Sequence, residues 1–117
     1  MQGLNRIKVD DVGDVAVVRF VDRKILDEAI IQELGRELEG LVETAGKTNL
    51  LLCFENVEFL SSAALGKLIK LNSTVKKNGG HLKMSNIRPQ IYEVFAITRL
   101  NKVFEICDDE TDALATF

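Results

Sequence analysis

The sequence predicts an α/β domain built on a mixed, mainly parallel sheet. Short apolar stretches of strand length alternate along the chain with longer segments that have the period of a helix. The five consecutive apolar residues 50–54 are too few for a helix and are typical of a strand buried on both faces. The order is two strands, then three helix-strand units, then a last helix. We therefore expect about five strands, one of them an antiparallel edge strand, and about four helices.

The first two strands are predicted to pair antiparallel at one edge of the sheet. Residues 5–9 alternate weakly between polar and apolar, and residues 15–21 are apolar except for Arg19. Between them lies an acidic cluster, residues 10–14, which includes a glycine. This cluster is expected to end the first strand and form the turn.

A first long helix is predicted over residues 27–44. Asp27 can cap it, and Leu26 can pack against Ile31 as a hydrophobic staple. Gly46 is expected to end it. The charged residues expected to point to solvent are Glu33, Arg36, Glu37, Glu39 and Glu43.

The last third of the chain predicts a strand, a short helix, a strand and a terminal helix. A strand at residues 81–85 should bury Leu82 and Met84 by alternation. The final strand is predicted at residues 102–106, and Asp108 or Asp109 should cap a helix that runs through Phe117. The short helix begins at Pro89, and its apolar residues are Ile91, Val94, Phe95 and Ile97.

Composition places the chain among ordinary globular proteins. Its 117 residues fit one domain, residues 1–117, and its 46% hydrophobic and 28% charged content argues against a disordered chain. The longest apolar run is far below the roughly 18 residues of a membrane-spanning helix, and no secretory leader opens the sequence. We expect a cytoplasmic protein with no direct membrane insertion.

The sequence lacks the residues that several kinds of function require. A net charge of −3 argues against binding nucleic acid. Cys53 and Cys107 have no Cys or His neighbours at metal spacing and are expected to be buried thiols. His81, the only histidine, is too isolated to be placed as the base of a serine nucleophile. We expect no enzyme activity, no cofactor and no metal, and a protein as partner.

Two serines, Ser61 and Ser62, lie at the junction between the central strand and a second long helix. One of them can cap the helix while the other points outward. The first turn of a helix also presents unpaired N–H groups and the positive end of the helix dipole, which would stabilise a phosphate. The predicted inward residues are Ala64, Leu65, Leu68, Leu71 and Val75, and the predicted outward residues are Lys67, Lys70, Thr74 and Lys77.

One stripe of this helix is suited to a partner. Ser62, Gly66, Lys70 and Ser73 follow one another at four- and three-residue steps. Gly66 would permit a close approach of backbone to backbone. A phosphate on Ser62 would place nearly two negative charges in the middle of such an interface. The predicted partner-binding residues are Ser61, Ser62, Gly66, Lys70 and Ser73.

The run from Phe54 to Gly66 resembles the signature of STAS domains, the family of bacterial anti-sigma factor antagonists. That signature is a strand, an acidic-polar turn, a hydrophobic pair and then Asp-Ser-Ser-Gly-Leu-Gly at the start of a helix. Residues 89–104 are similar to the family's later helix and closing strand. Ser61 stands where the family usually has Asp, and Ala63-Ala64 replace Ser-Gly.

The resemblance implies a STAS fold and a regulatory role. In the family a partner kinase phosphorylates the first serine after the aspartate, which corresponds to Ser62; Ser61 is the second choice. The chain would then bind a serine-kinase anti-sigma factor and be released by phosphorylation, as a monomer or weak homodimer. The alternative, favoured by the missing aspartate, is a scaffold or accessory subunit of a signalling assembly or transporter complex that is not phosphorylated. A third possibility, the sensing of a small molecule, is not supported by any motif in the sequence.

Overall fold

The computed structural model describes residues 4–117, so the first three residues of the predicted domain lie outside it. Seven strands and four α-helices alternate in this part of the chain. The strands are β1 (Ile7–Val12), β2 (Val15–Phe20), β3 (Lys24–Ile25), β4 (Asn49–Cys53), β5 (Phe59–Leu60), β6 (His81–Ser85) and β7 (Glu105–Cys107). The helices are α1 (Glu28–Glu43), α2 (Ser62–Lys77), α3 (Pro89–Ile97) and α4 (Glu110–Leu114).

The main sheet has five strands in the order β1-β2-β4-β6-β7. Strand β1 pairs antiparallel with β2, and every other neighbouring pair in this sheet is parallel. The register places Val18 beside Leu52, and Leu52 beside Met84. The predicted mixed sheet with an antiparallel edge strand is confirmed.

Helices α1, α2 and α3 pack on one face of the main sheet and bury its largest core. The aromatic part of this core is a chain of four phenylalanines. The ring centroids of Phe20 and Phe54 are 4.8 Å apart, those of Phe54 and Phe95 6.2 Å, and those of Phe95 and Phe104 5.9 Å. These rings join β2 and β4 to α3 and to the segment before β7, so they connect distant parts of the chain.

The opposite face of the sheet is covered in part by α4. Ala113 packs with Val15, Val17 and Leu51, whose side chains point away from the largest core. Arg19 Nη1 lies 2.8 Å from Glu110 Oε1, and this contact raises the pKa of the Arg19 guanidinium. The helix is therefore fixed to the sheet by both apolar and ionic contacts.

Strand β6 is buried on both faces because α4 and the residues after it cover the second face of the sheet. Alternation predicts that only Leu82 and Met84 are buried, but Lys83 is only 6% exposed. Its Nζ donates to Thr116 Oγ1 at 2.7 Å and to the Thr116 carbonyl at 3.0 Å, and it lies 3.0 Å from Glu105 Oε2. Because these partners satisfy the ammonium, the lysine is buried without an unpaired charge.

A two-stranded parallel sheet, which the sequence did not predict, is formed by β3 and β5. Lys24 lies opposite Phe59, and Ile25 lies opposite Leu60. Ser61 N continues the pairing by donating to the Ile25 carbonyl at 3.1 Å. This small sheet connects the start of α1 to the start of α2.

Two strands, β1 and β7, differ from their predicted bounds by more than one residue. Strand β1 continues to Val12, so that only Gly13 and Asp14 form the turn. The last strand begins at Glu105 rather than at residue 102, because residues 100–102 form a 3-10 turn in which the Leu100 carbonyl accepts from the amides of residues 103 and 104. Carbonyl groups used in a turn are not available to a strand ladder.

Two predicted side-chain positions at α1 also differ. Asp27 caps α1 as predicted, by accepting from Ile30 N at 3.2 Å. Glu37, predicted to point outward, is only 9% exposed and accepts from the amides of Asn5 and Arg6, both at 2.9 Å. Leu26 is 53% exposed instead of buried in a staple. On α3, Ile97 is 81% exposed.

Candidate functional site

Ser61 is the N-cap of α2. Its backbone is extended, with φ −84° and ψ 165°, and its side chain accepts a hydrogen bond from Ala64 N at 3.2 Å. Its carbonyl accepts the first helical hydrogen bond, from Leu65 N at 3.1 Å. This is the geometry of a capping serine, so the Ser61 hydroxyl has a structural use.

Ser62 is the first residue of α2, and its side chain is exposed. Within the described residues its hydroxyl has no hydrogen-bond partner, in contrast to that of Ser61. The first turn of α2 also carries no acidic residue. The structure thus gives the capping role to one serine and leaves the other serine facing outward.

The predicted stripe lies on the exposed side of α2. Gly66, Lys70 and Ser73 are exposed, as is Ser62 at the start of the helix. A Cβ at Gly66 would meet no atom within 4 Å, so the space beside its backbone is open. The structure therefore brings the predicted residues to one accessible face, with Ser61 half-buried at its end.

The loop before the serines is held to the main sheet by Asn56. Its Nδ2 donates to the carbonyls of Phe20, at 3.3 Å, and Val21, at 2.9 Å. Val57 is completely buried next to it, and its amide donates to the Phe54 carbonyl at 2.9 Å. These contacts fix where β5 and α2 begin. Sequence reasoning did not find the role of Asn56, because its acceptors lie about 35 residues earlier in the chain.

Charged groups lie around the junction, and two of them, Arg23 and Glu58, form an ion pair. Arg23 Nε donates to Glu58 Oε2 at 2.9 Å, and Arg23 Nη2 contacts the same oxygen. This hydrogen bonding lowers the pKa of the Glu58 carboxyl below its usual 4.5, with smaller contributions from the charges of Arg88 and Lys24. Lys24 Nζ lies 5.7 Å from the centroid of the Phe59 ring.

The other residues considered from the sequence lie away from the serines. Cys53 is buried, whereas Cys107, expected to be buried, is only half-buried. His81 lies at the amino end of β6, opposite Asn49, while the serines follow the carboxyl end of β4. In residues 4–117 no three His, Cys, Asp or Glu side chains are grouped closely enough to hold a metal ion. Among the helices of this region, none combines the length and apolar character needed to cross a membrane.

The STAS domain family model matches residues 6–113, nearly the whole of the chain that forms this fold. The chain belongs to the STAS domain family. The assignment agrees with the serine-containing strand-to-helix junction and with the mixed five-stranded sheet.

Two relatives of this STAS domain are named as antagonists of anti-sigma factors. The anti-sigma-B factor antagonist of Bacillus subtilis (strain 168) is 33% identical over 69 residues, which are 58% of this chain and 63% of that protein. The match thus spans less than two thirds of that relative. The anti-sigma F factor antagonist of Paenibacillus polymyxa is 20% identical over 109 residues, 93% of this chain and 92% of that protein. Both names describe a regulatory role rather than a catalytic one.

Solved structures share the fold of this STAS domain. An anti-sigma-factor antagonist (STAS) domain protein from Planctomyces limnophilus has a TM-score of 0.83 at 21% identity, covering 97% of this chain and 98% of that one. The murine Slc26a9 anion transporter contains a region with a TM-score of 0.75 at 19% identity, covering 92% of this chain but only 18% of the transporter. At these identities the likeness is one of fold, and the fold serves more than one kind of protein.

Proposed function

We propose that this STAS domain is a cytoplasmic anti-sigma factor antagonist, a monomer or weak homodimer, that binds a serine-kinase anti-sigma factor and is released when Ser62 is phosphorylated. The observation that carries the proposal is the division between the two serines. Ser61 uses its hydroxyl to cap α2, and Ser62 presents its hydroxyl at the start of that helix. The names of the two relatives support an anti-sigma factor as the partner.

The position of Ser62 explains how a phosphate would act. The free N–H groups and the dipole of a 16-residue helix tolerate a phosphate at its first residue, so the domain would stay folded. The exposed stripe of Gly66, Lys70 and Ser73 extends from the same residue along α2. A partner seated on this stripe would have to accept nearly two additional negative charges in its interface. Binding would then be lost through desolvation and repulsion.

The test compares two substitutions at Ser62 in binding to a serine-kinase anti-sigma factor of the source organism. Ser62→Asp, which mimics the charge, should weaken binding by about tenfold or more, and Ser62→Ala should leave it within about threefold. Ile97→Asp, which adds the same charge at an exposed residue of α3, is the matched control and should bind within about threefold of wild type. If Ser62→Asp and Ser62→Ala bind equally well, phosphorylation at Ser62 is not the switch.

A second measurement addresses the modification itself. Intact-mass analysis with site mapping, on protein purified from its own cells in growing and stressed states, should find a single phosphate on Ser62 whose occupancy changes. A phosphate on Ser61 instead would contradict the assignment of the modification to Ser62. That assignment rests on the Ser61 hydroxyl being engaged in the helix cap. Absence of any phosphate, even with the kinase and ATP in vitro, would contradict the switch.

The alternative function is a STAS module that binds its partner without phosphorylation, as a scaffold or an accessory subunit of a transporter or signalling assembly. One observation favours it: a capping serine occupies position 61, where the family usually has aspartate. The presence of this fold within an anion transporter chain is consistent with such a role. It predicts that Ser62→Asp and Ser62→Ala behave alike and that no phosphate is found.

A further inference from the structure

Strand β1 leaves one edge of the main sheet open. It is the end strand in the order β1-β2-β4-β6-β7, so among residues 4–117 no strand pairs with its outer side. Helix α4 packs mainly on β4, β6 and β7. In β1 the side chains of Lys8, Asp10 and Val12 are exposed. An open strand edge of this kind presents unpaired N–H and C=O groups to which another strand can bind.

The hydrogen bonds to β2 indicate which residues of β1 have backbone groups free for such a strand. Val21 N donates to the Arg6 carbonyl at 2.9 Å. Because hydrogen-bonded and non-hydrogen-bonded pairs alternate along an antiparallel ladder, the even-numbered residues of β1 bond to β2. The N–H and C=O groups of the three odd-numbered residues, Ile7, Val9 and Asp11, therefore point to the open edge.

The strand order of charges fits a second copy of β1 in one antiparallel register. When Val9 lies opposite Val9 of the second copy, Ile7 lies opposite Asp11, and all three odd-numbered residues can bond. Lys8 then lies opposite Asp10, and twofold symmetry repeats this pair. A shift of the second copy by two residues in either direction leaves only two odd-numbered residues paired. It also places Lys8 opposite Lys8, or Asp10 opposite Asp10.

The charged groups near this edge leave Lys8 and Asp10 available to each other across the pair. Lys8 forms no ion pair in residues 4–117. The Asp10 side chain is 68% exposed, and its carboxylate lies 3.7 Å from Arg19 Nε. Arg19 has a closer carboxylate, that of Glu110, at 2.8 Å. Since opposite charges facing each other on neighbouring strands attract and like charges repel, the register centred on Val9 is favoured.

We propose that two copies of the chain pair through β1, antiparallel and centred on Val9, to form one continuous sheet. The occupant of the edge is a second copy because β1 carries its own charge complement. The remaining charge at the edge, Asp11, forms an ion pair with Lys47 at 3.0 Å. The inference goes beyond the proposed function, because binding at Ser62 does not require a dimer, and it decides between monomer and homodimer.

The dimer is tested by sedimentation equilibrium of the purified chain at concentrations up to about 1 mM. Because one strand edge makes a small interface, we expect a weak dimer with a dissociation constant below about 1 mM. Lys8→Glu and Asp10→Lys should each weaken it by about tenfold or more, because each places like charges opposite each other at both symmetry-related positions. Lys76→Glu, at the far end of α2, is the matched control and should stay within about threefold of wild type. A wild-type chain that remains monomeric at about 1 mM would overturn the inference.

A mixture of the two charge variants tests the register. When one copy carries Lys8→Glu and the other carries Asp10→Lys, the new glutamate faces the new lysine, and the native Asp10 of one copy faces the native Lys8 of the other. The mixture should therefore dimerise within about threefold of wild type, although neither variant does so alone. A mixture that dimerises no better than its components would show that these two positions do not face each other.

Cross-linking through Val9→Cys measures the register without a change of charge, and it decides the matter if thermal melting shows that a charge variant unfolds. Cα atoms of a hydrogen-bonded antiparallel pair are about 5.5 Å apart, within the range of a disulfide. Oxidation with copper–phenanthroline should therefore link most of the Val9→Cys chains into dimers. The wild-type chain, with its two free cysteines, gives the background.

Val12→Cys is the matched control for the cross-link. Val12 is 45% exposed, but in this register it lies about 20 Å from Val12 of the second copy. It should cross-link no more than the wild-type chain. Equal cross-linking of Val9→Cys and Val12→Cys would overturn the register. None of these measurements uses a kinase, so their failure leaves the proposed binding at Ser62 untouched.

Discussion

The Ser61 hydroxyl accepts from the Ala64 amide at 3.2 Å, while the neighbouring Ser62 hydroxyl faces solvent. At the scale of the residue, this contact separates a side chain that stabilises the fold from one that is available for modification. The sequence predicted that one serine caps and the other points outward, because capping chemistry is local. It did not decide which serine does which, because the exact first residue of a helix depends on the preceding β5 and its pairing with β3.

The separation predicts different stabilities for the two alanine variants. Ser61→Ala should lower the free energy of unfolding by about 1 kcal/mol, because it removes the cap, whereas Ser62→Ala should change it by less than about 0.5 kcal/mol. Urea denaturation followed by circular dichroism measures both. Ser61→Asp is the matched control that restores a capping oxygen and should be about as stable as wild type. Equal losses for the two alanine variants would show that Ser61 is not the cap.

The Arg23–Glu58 contact predicts a pH dependence that can be followed at one residue. Because Arg23 favours the charged carboxylate, the pKa of Glu58 in the folded protein lies below its usual value of 4.5. The contact therefore contributes stability above that usual pKa and loses it as the pH falls through the lowered pKa of the folded state. A carbon-13 NMR titration of the Glu58 carboxyl should show the low pKa.

The same titration in two variants identifies the cause. In Arg23→Gln the pKa of Glu58 should return towards 4.5, since the hydrogen bond to Arg23 is the main cause of the shift. In Arg88→Gln it should rise less, because Arg88 acts only through its charge. A larger rise in Arg88→Gln than in Arg23→Gln would contradict this assignment.

At the scale of the element, a glycine in α2 and a glycine just before β6 differ in how closely other atoms surround them. Gly66 lies on the exposed face of α2, and a Cβ there would meet nothing within 4 Å. Gly80 lies just before β6, and a Cβ there would overlap the backbone carbonyl of Thr48, just before β4. Gly80 is thus needed for the close approach of two chain segments, whereas the fold does not need Gly66.

This contrast predicts opposite effects of the same substitution. Gly66→Ala should raise the free energy of unfolding by up to about 1 kcal/mol, because alanine favours the helix. Gly80→Ala should lower it by about 1–3 kcal/mol, because backbone must move to make room. Urea denaturation of both variants checks the prediction, and each is the control for the other. A stabilised Gly80→Ala variant would show that the segments are not held so closely.

The elements that the sequence predicted best are those with a clear period. The inward residues of α2, from Ala64 to Val75, are buried as predicted, and the apolar central strand is β4. The β3–β5 sheet was not predicted, because two residues give no measurable alternation. The last strand was displaced because apolar residues 103 and 104 fit a strand equally well before the preceding turn is known.

At the scale of the whole molecule, the row of four phenylalanine rings connects distant parts of the chain. Phe95 is completely buried and contacts the rings of both Phe54 and Phe104. Phe95→Ala should lower the free energy of unfolding by about 3–5 kcal/mol, because it leaves a cavity in the largest core. Ile97→Ala, in the same helix but 81% exposed, is the control and should change it by less than about 0.5 kcal/mol. Comparable effects of the two substitutions in urea denaturation would contradict the described core.

The sequence by itself determined the order of the elements, the class of fold, the buried face of α2 and the location of the two serines. These follow from period, capping chemistry and turn residues, all of which act over a few neighbouring positions. Only the tertiary structure decided that Glu37 and Lys83 are buried and that β3 pairs with β5. Each of these depends on a partner more than 30 residues away, because burial and strand pairing are set by the segments that pack together and not by the local pattern.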